Sequence, residues 1–269
     1  MKKLIIITVV ITACLPAFSQ DTLSKKNSKE NRRQERRQKV NDLIRQDEEG
    51  LLVYSKQSVF GIQLRTNGYG FLYEKGKMKS QRNTAIYSVE FNEIKHPKED
   101  KLPNGSSGFS FGNPYIYGKV NNFYSLQLGF GRQRIMGQKG NKNGVAVSFI
   151  YKGGLSLGLL RPYYIQVDDN NTVRTIKYSQ KDSALFLNGY NIIAGGGLGK
   201  GWKEIKPKPG VFAKSALRFD FGRFNEVVSA IEVGLSAEFY SAKIPILFYQ
   251  KEKQFYYQGH IAIMFGHRK

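Results

Sequence analysis

The chain has 269 residues, of which 41% are hydrophobic and 23% charged, with 42 Lys and Arg against 21 Asp and Glu. A single Cys excludes an intrachain disulfide framework and a cysteine-based zinc site, and three His leave little material for a histidine metal cluster. The mean hydropathy of -0.42 excludes a polytopic helical membrane protein, which needs repeated apolar stretches of ~20 residues. We therefore expect no metal and no cofactor, and the 13% aromatic content with 28 Gly favours strands and tight turns.

The first twenty residues have the pattern of a secretory signal peptide. A lysine pair precedes the apolar run Leu4–Ile11, and Ala17-Phe18-Ser19 has the small-x-small pattern of a cleavage site. The apolar run is too short to cross a bilayer as a helix. Residues 1–20 are therefore predicted to direct export and to be removed. Lipoprotein processing at Cys14 is the less favoured alternative, because a Leu-Pro pair follows this cysteine.

Residues 21–52 are predicted to form a basic arm that is helical in part. Eight Lys and Arg between Lys25 and Lys39 face only two carboxylates, and Val40, Leu43 and Ile44 recur at helical spacing. Such a run is typical of nucleic-acid binding, but an exported chain rarely meets nucleic acid, so we expect no nucleic-acid partner. The arm is instead expected to be solvated and to contact anionic lipid or an acidic periplasmic protein.

Beyond residue 55 the hydrophobic pattern has the period of two that is typical of β-strands. Single-chain bacterial barrels have an even number of strands, so we predict eight, with ten as the alternative. The eighth strand arises either from a split of the first run at Asn67-Gly68 or from the segments 163–167 and 172–178. Seven strands are clear, and several exceed the ~9–11 residues that a tilted membrane-spanning strand needs: 58–74, 82–95, 120–135, 144–161, 210–221, 226–240 and 253–266.

The alternating strands fit two architectures, a soluble sandwich with its apolar face inward and a transmembrane barrel with its apolar face outward. Export, strand length and aromatic strand ends favour the barrel. With its signal peptide, alternating strands and terminal strand Phe255–Phe265, the chain resembles the small outer-membrane β-barrel proteins of Gram-negative bacteria, the OmpA/OmpX-like size class. The resemblance covers roughly residues 55–269. It implies an all-β, antiparallel transmembrane barrel in residues 53–269, located in the cell outer membrane, and specifies no activity.

Six charged residues fall on the polar faces of these strands. An eight-stranded lumen is filled by side chains, and unpaired buried charges are unfavourable, so a packed ionic network is expected. If the hairpin turns at Gly222–Asn225, Arg218 and Glu232 lie on a same-face diagonal within reach of each other. His260 is predicted to be an inward, hydrogen-bonded filler. The six lumen residues are Lys152, Lys214, Arg218, Asp220, Glu232 and Glu238.

His96 is the sharpest enzyme candidate in the chain. Outer-membrane lipid hydrolases use Ser and His residues of the barrel wall near the membrane rim, which makes Ser88 or Ser125 the candidate nucleophile. No local spacing pairs either serine with His96, and a charged turn capped by Pro97 is the favoured interpretation. The sequence therefore predicts a structural or interaction protein without a catalytic site. A lipid-modifying enzyme using His96 with a Ser, and a narrow channel, are the alternatives.

The connections between strands carry the remaining candidates. Pro245 argues against a central strand in 243–253, and 179–209 is predicted to contain a short helix at 184–193 and to fold over or into the barrel. Gly195–Gly201 departs from a phosphate loop at Ala194 and Gly201, so a flexible loop is expected. Two basic connections are expected to contact lipopolysaccharide phosphates or anionic headgroups in the outer membrane: Arg132, Arg134, Lys139 and Lys142 in one, and Lys203, Lys206 and Lys208 in the other.

Overall fold

A computed structural model describes residues 34–38, 54–102, 114–140, 144–170, 172–222 and 226–269. Leu51–Lys269 form one compact unit. Of the chain before this unit only residues 34–38 are described, and they are helical. The predicted signal peptide, Cys14 and the rest of the predicted arm lie outside the described residues. No helix in the described part of the chain is long and apolar enough to cross a membrane.

Eight long antiparallel strands close into a barrel. The shortest has 10 residues and the longest 18, so each is long enough to span a bilayer. The strands of the described residues are β1 (Lys56–Arg65), β2 (Gly68–Ser80), β3 (Asn83–Ile94), β4 (Lys101–Leu102), β5 (Tyr115–Ile116), β6 (Asn121–Gly137), β7 (Ala146–Pro162), β8 (Tyr164–Asp169), β9 (Thr172–Lys177), β10 (Ile192–Gly195), β11 (Lys206–Asp220), β12 (Val227–Ile244) and β13 (Lys253–Arg268).

The predicted count of eight barrel strands is confirmed. The first predicted run splits at a two-residue turn, Thr66-Asn67, into β1 and β2. Neighbours along the ring follow one another in the order β1, β2, β3, β6, β7, β11, β12 and β13. The ring closes where β1 pairs with β13, with Ile62 opposite Ile263. The other candidate for the eighth strand, 163–167 with 172–178, forms the hairpin β8–β9 in a separate sheet. The barrel strand β12 ends at Ile244, immediately before Pro245, as the proline predicts.

The apolar face of every barrel strand points away from the interior. Leu64 is 67% exposed, Leu155 66% and Ile263 54%, and they belong to a continuous belt of outward aliphatic and aromatic side chains. Soluble monomers rarely expose contiguous apolar patches larger than a few hundred Å². An outward apolar band around a polar interior is the arrangement of a transmembrane barrel. The predicted inside-out orientation is therefore confirmed.

The two ends of the barrel differ. At one end, which we call the terminal end, the backbone N–H groups of Ser55 and Lys56 donate to the carbonyl oxygen of Lys269, and the adjoining turns are short. At the other, the loop end, lie the long connections 95–120 and 163–205. Apolar side chains close the interior towards the terminal end (Val59, Leu72, Val228, Ala230, Ala262 and Met264) and towards the loop end (Ile94, Phe123, Leu160, Tyr240, Ile244 and Tyr256).

The longest connection, 163–205, carries a small sheet of its own. The strands lie in the order β10, β8, β9, and the helix Ser183–Leu187 packs beside them. Tyr163 joins the two apolar clusters, because it packs against both the loop-end core of the barrel and the core of the small sheet. The predicted helix 184–193 is shorter than expected, since a 3-10 turn and β10 follow Leu187. The small-sheet core contains Tyr115, Ile165, Val167, Ile176, Phe186 and Ile192.

Candidate functional site

The middle of the barrel interior contains a buried cluster of balanced charge, which we call the central ionic cluster. It comes from the inward positions of five barrel strands, and each side chain is at most 4% exposed. Three carboxylates face three cations, so the formal charge is zero. The members are Glu74, Glu90, Lys152, Lys214, Arg218 and Glu232.

Lys152 and Arg218 bridge carboxylates that lie on different strands. The Lys152 Nζ atom is 2.6 Å from Glu74 Oε1 and 2.5 Å from Glu90 Oε1. The Arg218 Nη2 atom donates to Glu74 Oε2 at 2.5 Å and to Glu232 Oε2 at 2.7 Å, and Nε reaches the same Glu232 oxygen at 3.1 Å. Glu74 therefore receives one cation on each of its two oxygens.

Lys214 extends the cluster to the remaining walls. Its Nζ atom donates to Gln63 Oε1 at 3.0 Å and lies 3.4 Å from Glu90 Oε2 and 3.3 Å from Glu232 Oε1. The His260 Nε2 atom lies 3.2 Å from the same Glu232 oxygen, so the predicted filler is part of this network. The contacts join β1, β2, β3, β7, β11, β12 and β13. The cluster thus holds opposite walls of the barrel together.

The registers of the strands bring these charges into contact. Arg218 pairs directly with Glu232 in the β11–β12 ladder, which corrects the predicted diagonal placement. Lys214 pairs with Lys152 across β11 and β7, and the carboxylates around them compensate these like charges. A Cβ atom at Gly131 would lie 2.2 Å from the backbone carbonyl oxygen of Tyr151 and 2.4 Å from the Lys152 Cβ, so glycine is needed there because β6 and β7 approach closely beside Lys152.

Two of the six predicted lumen residues lie outside the central cluster. Asp220 pairs with Arg268 towards the terminal end. Glu238 pairs with Arg65 towards the loop end and accepts further hydrogen bonds from Gln258 at 2.6 Å and from the Tyr240 hydroxyl at 2.5 Å. The predicted set omitted the partners Arg65, Glu74, Glu90 and Arg268. Glu90 was identifiable from the polar face of β3, whereas the glycine-rich first hairpin obscured the faces of Arg65 and Glu74.

A second candidate site lies on the outer wall at the loop end, and we call it the rim cleft. It has a volume of about 720 Å³ and lies between the outward face of β2, β3 and β6 and the connections 95–119 and 195–198. Its wall is aromatic, with Phe91 stacked on Tyr124 at 5.8 Å between ring centroids and 13° between planes. Tyr69 and Phe71 extend this wall, and both are also outward residues of the apolar belt.

Arg161 connects the barrel wall to the connection that covers the cleft. Its guanidinium lies between the rings of Tyr124 and Trp202, 5.5 Å and 4.6 Å from their centroids. Its Nη1 atom and the Trp202 indole N–H both donate to the carbonyl oxygen of Leu198 at 2.7 Å. Gly201, in the left-handed region with φ 87°, begins the 3-10 turn that carries Trp202. The predicted flexible glycine loop is thus attached to the outer wall.

Ionisable groups surround the rim cleft. Lys95 places its Nζ atom 4.8 Å from the centroid of the Tyr69 ring. Lys119 is buried and donates to Glu99 Oε2 at 2.7 Å. Burial lowers the pKa of Lys119, and the neighbouring Glu99 carboxylate opposes that shift. Burial, followed by the nearby Lys253 ammonium, lowers the pKa of His96 from 6.5.

His96 occupies a charged turn, as the favoured interpretation predicts. Its Nδ1 atom accepts a hydrogen bond from the Lys98 backbone N–H at 3.2 Å, and its own backbone N–H donates to Glu99 Oε1 at 3.0 Å. Ser88 and Ser125 are buried on inward faces of the barrel wall. No serine in the part of the chain that the structure describes is hydrogen-bonded to His96, so the geometry gives the enzyme alternative no support.

The basic residues assigned to lipid contact do not form one surface. Arg132 and Arg134 point outward from β6 towards the terminal end and are exposed. Lys139 is wrongly assigned, because its side chain is buried and its ammonium donates to the carbonyl oxygen of Gly222. Lys142 lies outside the described residues. Of the other predicted basic connection only Lys203 lies in a connection, and it is exposed at the loop end. Lys206, which is exposed, and Lys208, which is partly buried, belong to the first residues of β11.

No protein-family model matches the chain. No curated protein matches it significantly. Among solved structures, Ail, the attachment invasion locus protein of Yersinia pestis, in complex with the heparin analogue sucrose octasulfate, is 10% identical with a TM-score of 0.39, covering 81% of this chain and 100% of Ail. Neisserial surface protein A is 8% identical with a TM-score of 0.36, covering 80% of this chain and 96% of the other. The closed eight-stranded ring itself has the architecture of small outer-membrane barrels, which confirms the resemblance inferred from the sequence.

Proposed function

We propose that this protein is an exported outer-membrane β-barrel with a structural or interaction role and no catalytic site. The observation that carries the proposal is the contrast between a filled interior and an elaborated loop end. Paired charges and apolar clusters occupy the lumen, as in other eight-stranded barrels, which opposes the channel alternative. The loop end carries a separate sheet, a helix and the rim cleft. These features favour binding of a partner at the loop end over conduction of a solute through the lumen.

The orientation in the membrane follows from the lengths of the connections. Outer-membrane barrels have short periplasmic turns and longer extracellular loops. The terminal end then faces the periplasm and the loop end faces the cell exterior. In this orientation the basic arm 21–52 lies in the periplasm, where an acidic protein or the inner-leaflet headgroups are its partners. Arg132 and Arg134 then meet headgroups of the inner leaflet rather than lipopolysaccharide.

Cysteine labelling in intact cells tests the location and the orientation together. Cys14, the single cysteine, lies in the predicted signal peptide, so introduced thiols are the reporters. Asp168→Cys places a thiol on the exposed β8–β9 hairpin, and the matched Arg82→Cys places one on the exposed turn between β2 and β3. A membrane-impermeant maleimide should label the first in intact cells and the second only after permeabilisation.

Three further readouts separate the parts of the proposal. A folded membrane barrel should fractionate with the outer membrane and migrate differently on gels before and after boiling. Purified protein in planar bilayers should show no steady conductance, because the lumen is filled. Labelling of both thiols in intact cells, or a protein that remains soluble and compact without detergent, would refute the membrane assignment.

A further inference from the structure

The rim cleft differs from the rest of the outer wall because it combines an apolar surface with concentrated positive charge. Phe71 is 57% exposed and Phe91 39%, and both line the cleft while belonging to the outward belt. Lys95, Lys101 and Arg161 line it as well. The cleft is therefore continuous with the surface that faces hydrocarbon, and its charged part lies at the level of the loops.

Arg161 gives the cleft a buried donor without a partner. This side chain points outward from β7, yet only 3% of the residue is exposed, because the connection around Leu198 and Trp202 covers it. One guanidinium nitrogen is used by the Leu198 carbonyl, whereas the Nε atom is buried without a hydrogen-bond partner. Buried donors, and charged ones above all, are unfavourable when unsatisfied. An anion in the cleft would satisfy it.

The charges around the cleft favour an anion over a cation. Lys119 and Glu99 neutralise each other at 2.7 Å. Among the described residues no carboxylate lies within ion-pair distance of Lys95, Lys101 or Arg161. Glu93 also lines the cleft, and its carboxylate offsets one of these positive charges. Apart from the Lys119–Glu99 pair, the cleft therefore has three cations and one carboxylate.

We propose that the rim cleft binds an anionic, phosphate-bearing lipid of the surrounding membrane. The phosphate is held by Lys95, Lys101 and Arg161, and an acyl chain lies along Phe71 and Phe91. Aromatic rings at headgroup depth and basic side chains that contact lipid phosphates are the general means by which proteins hold lipid at an interface. A membrane lipid is chosen over a soluble anion because the aromatic wall runs into the apolar belt. The inference rests on the proposed insertion of the barrel in a membrane.

Trp202 allows this proposal to be tested directly. It is the single Trp in the chain, and it lies against Arg161 at the edge of the cleft. The full-length protein is reconstituted in phosphatidylcholine vesicles that contain brominated-chain phosphatidylglycerol, or brominated-chain phosphatidylcholine at the same mole fraction. Bromine quenches tryptophan fluorescence at short range. The brominated anionic lipid should quench Trp202 more strongly than the brominated zwitterionic lipid.

The variant Lys95→Gln/Lys101→Gln removes two of the three cations without disturbing a buried contact. Each lysine near a lipid phosphate contributes about fivefold in affinity, so the preference for the anionic lipid should fall by roughly 25-fold and become undetectable. Lys181→Gln/Lys251→Gln is the matched control, because both lysines are exposed at the loop end outside the cleft. The control should keep the preference of the unsubstituted protein.

Three outcomes would overturn the proposal. Equal quenching by the two brominated lipids would show that the cleft does not select an anionic headgroup. An equal loss of preference in the control variant would indicate general surface attraction rather than a cleft. Recovery of fluorescence on addition of inorganic phosphate would show that a soluble anion is the ligand. Heat-modifiable mobility and vesicle insertion are measured on the same samples, so that failure of the membrane assignment is distinguished from failure of the lipid site.

Discussion

The central ionic cluster yields a quantitative prediction about stability. Arg218→Met removes the cation that bridges Glu74 and Glu232 and leaves three buried carboxylates facing two lysines. Arg218 donates three hydrogen bonds to these two carboxylates, and it is 1% exposed, so water cannot replace them readily. Methionine fills a similar length of interior without charge. Arg218→Met therefore removes the ion pairs with Glu74 and Glu232 while it keeps most of the packing of the side chain.

Removing one partner of a buried ion pair costs about 3–5 kcal/mol, because the remaining charge stays buried and uncompensated. We expect Arg218→Met to lower the free energy of unfolding by that amount. Arg218→Met/Glu74→Gln restores the balance to two carboxylates and two lysines. The double variant should therefore be less destabilised than the sum of the two single variants, with a coupling of about 0.5–3 kcal/mol between contacting residues.

The assay is urea unfolding in lipid vesicles, with the folded fraction followed by gel mobility without boiling and by circular dichroism of the strands. Lys75→Met is the matched control, since Lys75 follows Glu74 in the same strand but is exposed on the outward face. Removing a charge from the lipid-facing side is neutral or stabilising. If Arg218→Met stays within about 0.5 kcal/mol of the unsubstituted protein, the view of the cluster as the support of the barrel interior is wrong.

Two other measurements test the orientation of the strands and the state of the rim. Leu155→Arg, on the outward face of β7, should cost about 2–4 kcal/mol in the same urea assay if that position lies near the bilayer midplane, and an unchanged midpoint would contradict the belt. The pKa of His96 should lie below 6.5 in an NMR titration assigned with His96→Gln, because burial and Lys253 disfavour the charged ring. As the pH falls, His96 is then protonated at a higher pH in the unfolded chain than in the folded protein. The free energy of unfolding should therefore fall as the pH drops through 6.5.

The alternation along each strand was enough to predict which side chains share a face. Leu217 and Phe219 lie outward while Arg218 between them lies inward, and the period of two requires that separation in any sheet. The alternation alone does not determine whether the apolar face points inward or outward, because the same pattern fits a soluble sandwich. Export, aromatic strand ends and strand length together favour the barrel, since predicted runs such as 120–135 and 144–161 exceed the ~5–6 residues of ordinary strands. The exposed apolar side chains of the structure then show the direction of the faces.

The partners within the barrel were less predictable than the faces. Arg218 and Glu232 are joined by a hairpin, so their proximity follows from the turn. Glu74 reaches the same arginine from a strand more than a hundred residues earlier, and only closure of the ring brings them together. Lys139 shows the opposite error, because the sequence predicts contact with lipid for this residue, whereas its side chain is buried and its ammonium donates to the Gly222 carbonyl oxygen.

The rim cleft has no local sequence signal at all, and its origin explains why. The loop end of the lumen is already closed by Phe123, Tyr240 and Tyr256, whose rings pack within 6.0 Å of one another. The connection after β10 has no free interior to enter, and it lies instead against the outer wall, where Arg161 lies between the Tyr124 and Trp202 rings. An arginine on a lipid-facing side is unfavourable without such a cover. The filled lumen and the covered cleft are thus two consequences of one narrow, eight-stranded barrel.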